Sequence, residues 1–268
     1  MLREVNGVRI NVLDEGEGHP VLFLHGLGGC WRDWEPQLDL LSDRYRCVVV
    51  EHRGHGRSER TSGAYSTDLL AADVAWVCRA LGIDHAWVVG LSMGGMVAQK
   101  LALAEPDLVD ALVLCDTGTH IGERAGEWLR READRVRVHG FADSRGVVAG
   151  PGAVSAWTVE HQPHVARTNQ REAEATDPDC WARAALAVVE HDTRDDLGRI
   201  TAPTLVVWGE EDEPIPLKLA QPLVDRLGGA PLVVLPDAGH VCNLEQPEAF
   251  NRAIEEFFAA HPCTRAGT

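Results

Sequence analysis

The most informative part of the sequence is Gly90-Leu91-Ser92-Met93-Gly94, which matches the pattern G-x-S-x-G and lies between two predicted regular elements. The apolar run Ala86–Leu91 before Ser92 predicts a buried strand, and the small-residue run Met93–Ala104 after it predicts a helix. A serine at such a junction lies on a tight turn that pushes its hydroxyl beyond the sheet, beside a helix N-terminus. This setting predicts a catalytic nucleophile, and the simpler alternative is an N-cap serine in an ordinary turn.

On both sides of this stretch, short apolar runs alternate with longer helical ones. The runs that predict strands are Val8–Leu13, taken as an edge strand, Val21–His25, Cys47–Glu51, Ala86–Leu91, Asp110–Cys115, Thr204–Trp208 and Leu232–Leu235. Continuous apolar strands that alternate with helices predict a mainly parallel sheet covered on both faces.

Residues 117–198 break this alternation, because their sequence is helical and carries no clear strand. The pattern therefore predicts one α/β core domain, residues 1–116 and 199–261, with a helical cap inserted at 117–198 and a loose tail at 262–268.

Composition excludes several classes of protein. The 268 residues carry 25 basic and 41 acidic side chains, a net charge of −16, which argues against binding to nucleic acid or anionic membranes. The apolar runs are too short to cross a bilayer, and no signal peptide is visible. Seven cysteines without a C-x-x-C pair argue against a disulfide framework or a structural zinc site, so we expect a reducing, cytoplasmic compartment.

A serine nucleophile needs a base, and the base needs a carboxylate that fixes its tautomer. Among twelve histidines, His240 lies just beyond the last predicted strand, where a loop reaches the carboxyl ends of the parallel strands. Asp212 follows the strand Thr204–Trp208 and gives the order Ser, Asp, His. Asp116, at the end of Asp110–Cys115, is a rival for the same role.

Two backbone N–H groups are candidates for an oxyanion hole. One belongs to Met93, directly after Ser92, and the other to Leu27 in the glycine-rich loop 25–29. This loop matches neither the dinucleotide nor the P-loop phosphate motif.

Taken together, these motifs resemble the α/β-hydrolase superfamily over essentially the whole chain. The similar stretches are His25-Gly26-Leu27-Gly28-Gly29, Arg53-Gly54-His55-Gly56-Arg57-Ser58, Gly90-Leu91-Ser92-Met93-Gly94-Gly95 and Gly239-His240. Within the superfamily the chain is most similar to 3-oxoadipate enol-lactonases, through Leu112–Thr117 and Asn243–Phe250, although Asp116 stands where that group commonly has Asn. The resemblance implies an eight-stranded sheet, no metal or organic cofactor, and a serine hydrolase that cleaves a carboxylic ester or lactone.

The cap supplies candidates for substrate contacts. Trp128, Trp157 and Trp181 could form an apolar wall, and Arg130, with other cap arginines, could hold a substrate carboxylate. We expect a small-molecule substrate and a monomer or homodimer. The alternatives are a C–C bond hydrolase of the meta-cleavage type, a perhydrolase or haloperoxidase-like side activity, and a non-catalytic ligand-binding protein.

Overall fold

A single eight-stranded sheet organises the chain in this computed structural model, which describes residues 1–141 and 152–262. The strands are β1 (Leu2–Val5), β2 (Val8–Glu15), β3 (Pro20–Leu24), β4 (Arg46–Val50), β5 (Ala86–Leu91), β6 (Val109–Cys115), β7 (Thr204–Gly209) and β8 (Leu232–Leu235). Their order is β1-β2-β4-β3-β5-β6-β7-β8. β2 pairs antiparallel with β1 and β4, and the other neighbouring strands pair in parallel, so the predicted sheet is confirmed.

The strand predicted at Val8–Leu13 is present as β2, but its predicted position at the edge of the sheet is wrong, because β1 pairs outside it. The missed strand has only four residues, of which Arg3 and Glu4 are charged, so it carries no apolar run. A turn at Asn6-Gly7, with φ of 49° and 72°, joins the two strands. Asn-Gly with two positive φ angles is a strong hairpin signal, which would have located β1.

Ten helices are present in the described part of the chain. They are α1 (Glu35–Leu41), α2 (Thr67–Ala80), α3 (Met93–Ala104), α4 (Glu123–His139), α5 (Ala156–His161), α6 (Pro163–Ala175), α7 (Pro178–Val189), α8 (Ala220–Arg226), α9 (Cys242–Glu245) and α10 (Pro247–Ala260). Side-chain caps start several of them: Ser66 accepts the Leu69 N–H at 3.0 Å, and Asp177 accepts the Cys180 N–H at 3.1 Å. None of the described helices has the length and apolarity needed to cross a bilayer.

The helical insertion lies between β6 and β7 and contains α4 to α7, as the sequence predicts. The exact division into a core domain and a cap stays a prediction. Most of the predicted tail, from residue 263 onward, lies outside the described residues.

Helices cover both faces of the sheet, and side chains alternate between the two faces along each strand. Leu22 and Leu24 of β3 face a core completed by α2, α3, α7 and α8. Val21 and Phe23 of the same strand face a second core that includes residues of α1 and α10. All four side chains are fully buried, so the middle of the sheet is rigid and its carboxyl edge is a fixed platform for loops.

Candidate active site

Ser92 occupies the sharp turn between β5 and α3. Its backbone has φ 53° and ψ −117°, a conformation that residues other than glycine rarely adopt. The turn is held by the Ser92 N–H, which donates to the Cys115 carbonyl at 2.9 Å, and by Thr117 Oγ1, which donates to the Ser92 carbonyl at 2.7 Å. A Cβ at Gly94 would lie 2.0 Å from the Leu24 carbonyl oxygen, so only glycine permits this close approach.

Three side chains from distant parts of the sequence meet at this turn. His240 Nε2 lies 2.9 Å from Ser92 Oγ, and His240 Nδ1 lies 2.9 Å from Asp212 Oδ2. The second oxygen of Asp212, Oδ1, accepts the Ile215 N–H at 2.8 Å, which fixes the carboxylate. His240 and Asp212 are buried, whereas Ser92 is partly exposed. The structure therefore brings together the serine, histidine and aspartate that the sequence singles out.

Asp116 lies close to this group but makes different contacts. Its Oδ1 accepts the Gly209 N–H at 2.8 Å, and the Cys242 thiol also contacts the buried carboxylate. Burial, reinforced by repulsion from Asp212, raises the pKa of Asp116 well above its usual value. The hydrogen bond to the imidazole belongs to Asp212, so the geometry favours Asp212 over its rival.

The charge state of His240 reflects opposing effects. Burial alone would lower its pKa, but attraction to Asp212 and the hydrogen bond with it outweigh burial, and Asp116 and Glu245 add to this attraction. The net result is a pKa above the ordinary value of 6.5. An imidazole in this environment accepts a proton readily and is stabilised once it carries the charge.

The glycine-rich loop after β3 lies against Ser92. A Cβ at Gly26 would lie 3.4 Å from Ser92 Cβ. A small cavity of about 20 Å³ opens between this loop and the catalytic groups, large enough for about one water-sized atom. Its lining consists of Gly26, Leu27, Gly28, Gly29, Asp33, Leu91, Ser92, Asn169, Ala173, His240 and Val241. Both backbone segments expected to supply oxyanion donors adjoin it, since Met93 follows Ser92 and begins α3, where the first N–H groups have no intrahelical partner.

Three other histidines support this loop from behind. His25 Nδ1 lies 2.8 Å from the Gly26 carbonyl oxygen, and its Nε2 accepts the His52 N–H at 3.0 Å. The rings of His52 and His55 lie 4.6 Å and 5.1 Å from that of His25. Burial lowers the pKa of His25 to about 4 and that of His55 to about 3, so these rings stay neutral. They serve a structural role, as their positions in turns suggest.

A buried carboxylate that the sequence did not single out connects the His240 loop to the insertion. Glu245 Oε1 accepts the Gly239 N–H at 2.8 Å, and Glu245 Oε2 accepts the Ser155 N–H at 2.7 Å. The His240 N–H also donates to the Ala153 carbonyl at 2.8 Å, and Ser155 Oγ donates to the Asp237 carbonyl at 2.7 Å. The loop that carries His240 and the segment before α5 are therefore one hydrogen-bonded unit.

The four cap residues predicted to bind substrate lie in different surroundings. Trp181 is buried, and its Nε1 would lie 3.1 Å from a Cβ at Gly28, so it packs on the glycine-rich loop. Trp128 is half-buried against the core, Trp157 stacks on His161 at 4.7 Å, and Arg130 is exposed on α4. None of the four lines the small cavity, and their contact with substrate stays a prediction.

Asp33 is a further residue that the sequence reasoning missed. It lines the cavity beside Ser92, and burial, together with repulsion from Glu172 and Glu51, raises its pKa to about 7. Its position before Trp34 is that of an ordinary charged turn residue, so the sequence carried no signal for it.

Comparison with known proteins identifies the protein family. Residues 19–247 match the model of the alpha/beta hydrolase fold, and the chain belongs to this family. Among curated relatives it is 32% identical to 3-oxoadipate enol-lactonase 2 of Acinetobacter baylyi over 238 residues, 88% of this chain and 86% of that one.

Solved structures lead to the same family. A thermophilic esterase from Thermogutta terrifontis superposes with a TM-score of 0.91 at 31% identity, covering 98% of this chain and 99% of the esterase. The enol-lactonase from Burkholderia xenovorans LB400 gives a TM-score of 0.91 at 29% identity, covering 97% of this chain and 100% of the lactonase. The chain is thus a hydrolase of the alpha/beta fold, and an esterase and enol-lactonases are among the proteins to which it is similar.

Proposed function

We propose that this protein hydrolyses a small carboxylic ester or lactone through an acyl-enzyme formed on Ser92. The observation that carries the proposal is the continuous chain of contacts from Ser92 Oγ to His240 and from His240 to Asp212, each 2.9 Å long. Nucleophile, base and orienting acid are within hydrogen-bond reach without any rearrangement.

The first half of the reaction transfers the acyl group to the protein. Ser92 Oγ attacks the carbonyl carbon while its proton passes to His240 Nε2. Asp212 holds Nδ1 of the ring and stabilises the imidazolium that forms. Collapse of the tetrahedral intermediate breaks the bond to the leaving oxygen, which receives the proton from His240. In a lactone this step opens the ring, and the leaving group stays part of the acyl chain.

The second half releases the acid. Water gives a proton to His240 Nε2 and attacks the acyl carbon, and Ser92 then leaves with the proton that His240 returns. In both halves negative charge develops on the former carbonyl oxygen. The Leu27 and Met93 N–H groups are our proposed donors to it, since Leu27 lines the cavity beside Ser92 and Met93 directly follows Ser92 at the start of α3. Loss of one such donor typically costs about 10² to 10³ in rate.

The relatives support this substrate class. An enol-lactonase and an esterase each align over nearly their whole length, and both names describe acyl-oxygen cleavage. We therefore place a lactone or carboxylic ester first.

The test combines covalent labelling with a substrate panel. A fluorophosphonate should label the wild-type protein and Ser62→Ala, an exposed control, but not Ser92→Ala, which should also lose all turnover while remaining folded. The panel holds p-nitrophenyl esters of graded acyl length, small lactones and a meta-cleavage dienone. Residual activity of more than a few per cent in Ser92→Ala would refute the mechanism, and turnover of the dienone alone would favour the C–C hydrolase.

A further inference from the structure

The cluster His19–His85–Asp110 brings together three potential metal ligands away from Ser92. His19 lies directly before β3, His85 directly before β5, and Asp110 is the second residue of β6. These strands are neighbours in the order β3-β5-β6, so their amino ends adjoin. Ser92 follows the carboxyl end of β5, which places the cluster at the opposite edge of the sheet.

The ligand atoms of the cluster already converge. All three lie within 4.8 Å of one another. Asp110 Oδ2 lies 2.8 Å from His85 Nδ1 and 3.5 Å from His19 Nε2. The side chains are only 16%, 23% and 12% exposed for His19, His85 and Asp110, so the ligands are held by packing rather than spread over the surface.

One nitrogen of the cluster is not fully satisfied by the described residues. His19 Nε2 is buried, and apart from its 3.5 Å contact with Asp110 Oδ2 it makes no hydrogen bond among them. The ring itself is held in place, because it packs against Trp87 at 4.3 Å and against the His85 ring at 5.4 Å. A buried nitrogen without a partner usually indicates a bound water or ion that completes its coordination.

We propose that His19, His85 and Asp110 bind one divalent transition-metal ion of the zinc class. Two imidazole nitrogens and one carboxylate oxygen are the donor set that such ions prefer over Mg²⁺ or Ca²⁺. With bonds of about 2.0–2.2 Å, ligand atoms of a tetrahedral zinc site lie about 3.3–3.5 Å apart. The distance from His19 to Asp110 fits as it stands, and the shorter His85 contact needs to open by roughly 0.6 Å.

An ion here would join the amino ends of three core strands. Its binding energy would add to the stability of the folded state, because the unfolded chain does not hold the three ligands together. The site is separate from the proposed reaction, so loading it should raise the melting temperature and leave ester hydrolysis unchanged.

The test is a zinc titration of the chelator-treated full-length protein. Calorimetry should show one high-affinity Zn²⁺ per chain, and Tm should rise by roughly 5 °C or more at about 100 times the Kd. Co²⁺ in place of Zn²⁺ should give the visible absorption bands of a four-coordinate ion.

Variants separate this site from adventitious binding. His19→Gln and Asp110→Asn keep the size of each side chain and should weaken binding at least ~100-fold, since even outer-shell partners are worth 10 to 100-fold. His164→Ala removes an exposed histidine on α6 and should bind as the wild type does. Absence of binding in the wild type, or equal affinity in Asp110→Asn, would overturn the proposal.

Discussion

Glu245 offers the sharpest test of how the His240 loop is held. Its carboxylate accepts two buried backbone N–H groups, from Gly239 and Ser155, at 2.8 Å and 2.7 Å. Glu245→Ala removes both acceptors, and each orphaned donor costs about 1–3 kcal/mol, so the variant should lose roughly 2–6 kcal/mol of stability. Glu245→Gln keeps one acceptor oxygen and should lose about half as much.

Catalysis should change together with stability. Gly239 directly precedes His240, and a displacement of about 1 Å at a catalytic group can cost on the order of 10²-fold in rate. We expect kcat to fall while KM changes little, because Glu245 does not line the cavity beside Ser92. Loss of its negative charge should also lower the pKa of His240 and move the acid limb of the rate profile to lower pH.

The measurements are urea denaturation and a pH profile of kcat/KM for the wild type and both variants. Glu248→Gln is the matched control, because Glu248 is exposed at the start of α10 and should affect neither quantity. Wild-type stability in Glu245→Ala, or an unmoved acid limb in a folded Glu245→Gln, would refute the reasoning.

Three further predictions concern the acids and the base around Ser92. Asp212→Asn should lower kcat by about 10⁴-fold, whereas Asp116→Asn, which can still accept the Gly209 N–H, should lose less than about tenfold; equal losses in parallel assays would contradict the assignment. The rate should rise with pH through an apparent pKa above 6.5, because only neutral His240 takes the proton and Asp212 raises its pKa; a midpoint below 6.5 in the pH–rate profile would contradict this. Burial raises the pKa of Asp33 from 3.8 to about 7, so protonated Asp33 favours the folded state at low pH. The free energy of unfolding should therefore fall as the pH rises from 3.8 to about 7, by at most about 4 kcal/mol. Asp33→Asn should flatten this decline in urea denaturation series, and an unchanged slope would count against it.

The sequence was sufficient for the features that depend on local patterns. Continuous apolar strands and the strained turn at Ser92 are encoded within a few residues, so the sheet, the insertion and this turn could be predicted. The order Ser, Asp, His along the chain pointed to Asp212 but left Asp116 as a rival, and the hydrogen bond between Asp212 and His240 separates the two.

Other features depend on distant residues and left no readable pattern. Glu245 joins Gly239 to Ser155, which lies 90 positions away, and nothing near Glu245 marks it as buried. Asp33 looked like an ordinary charged turn residue until the fold placed it on the cavity wall. The tryptophans of the insertion could not be ranked, because apolar packing and substrate contact select the same residue type. In the structure Trp181 packs on the loop beside Ser92.

The hydrogen bonds between Ala153–Ser155 and the His240 loop have an evolutionary consequence. Insertions or deletions close to these three residues would shift the imidazole and be selected against, whatever they gained in substrate fit. Helix α4, at the other end of the insertion, packs against α7 and carries no such link to His240 in the described residues. We expect descendants of this protein to acquire new substrates by changing α4 and to inherit Ala153–Ser155 with little change in length.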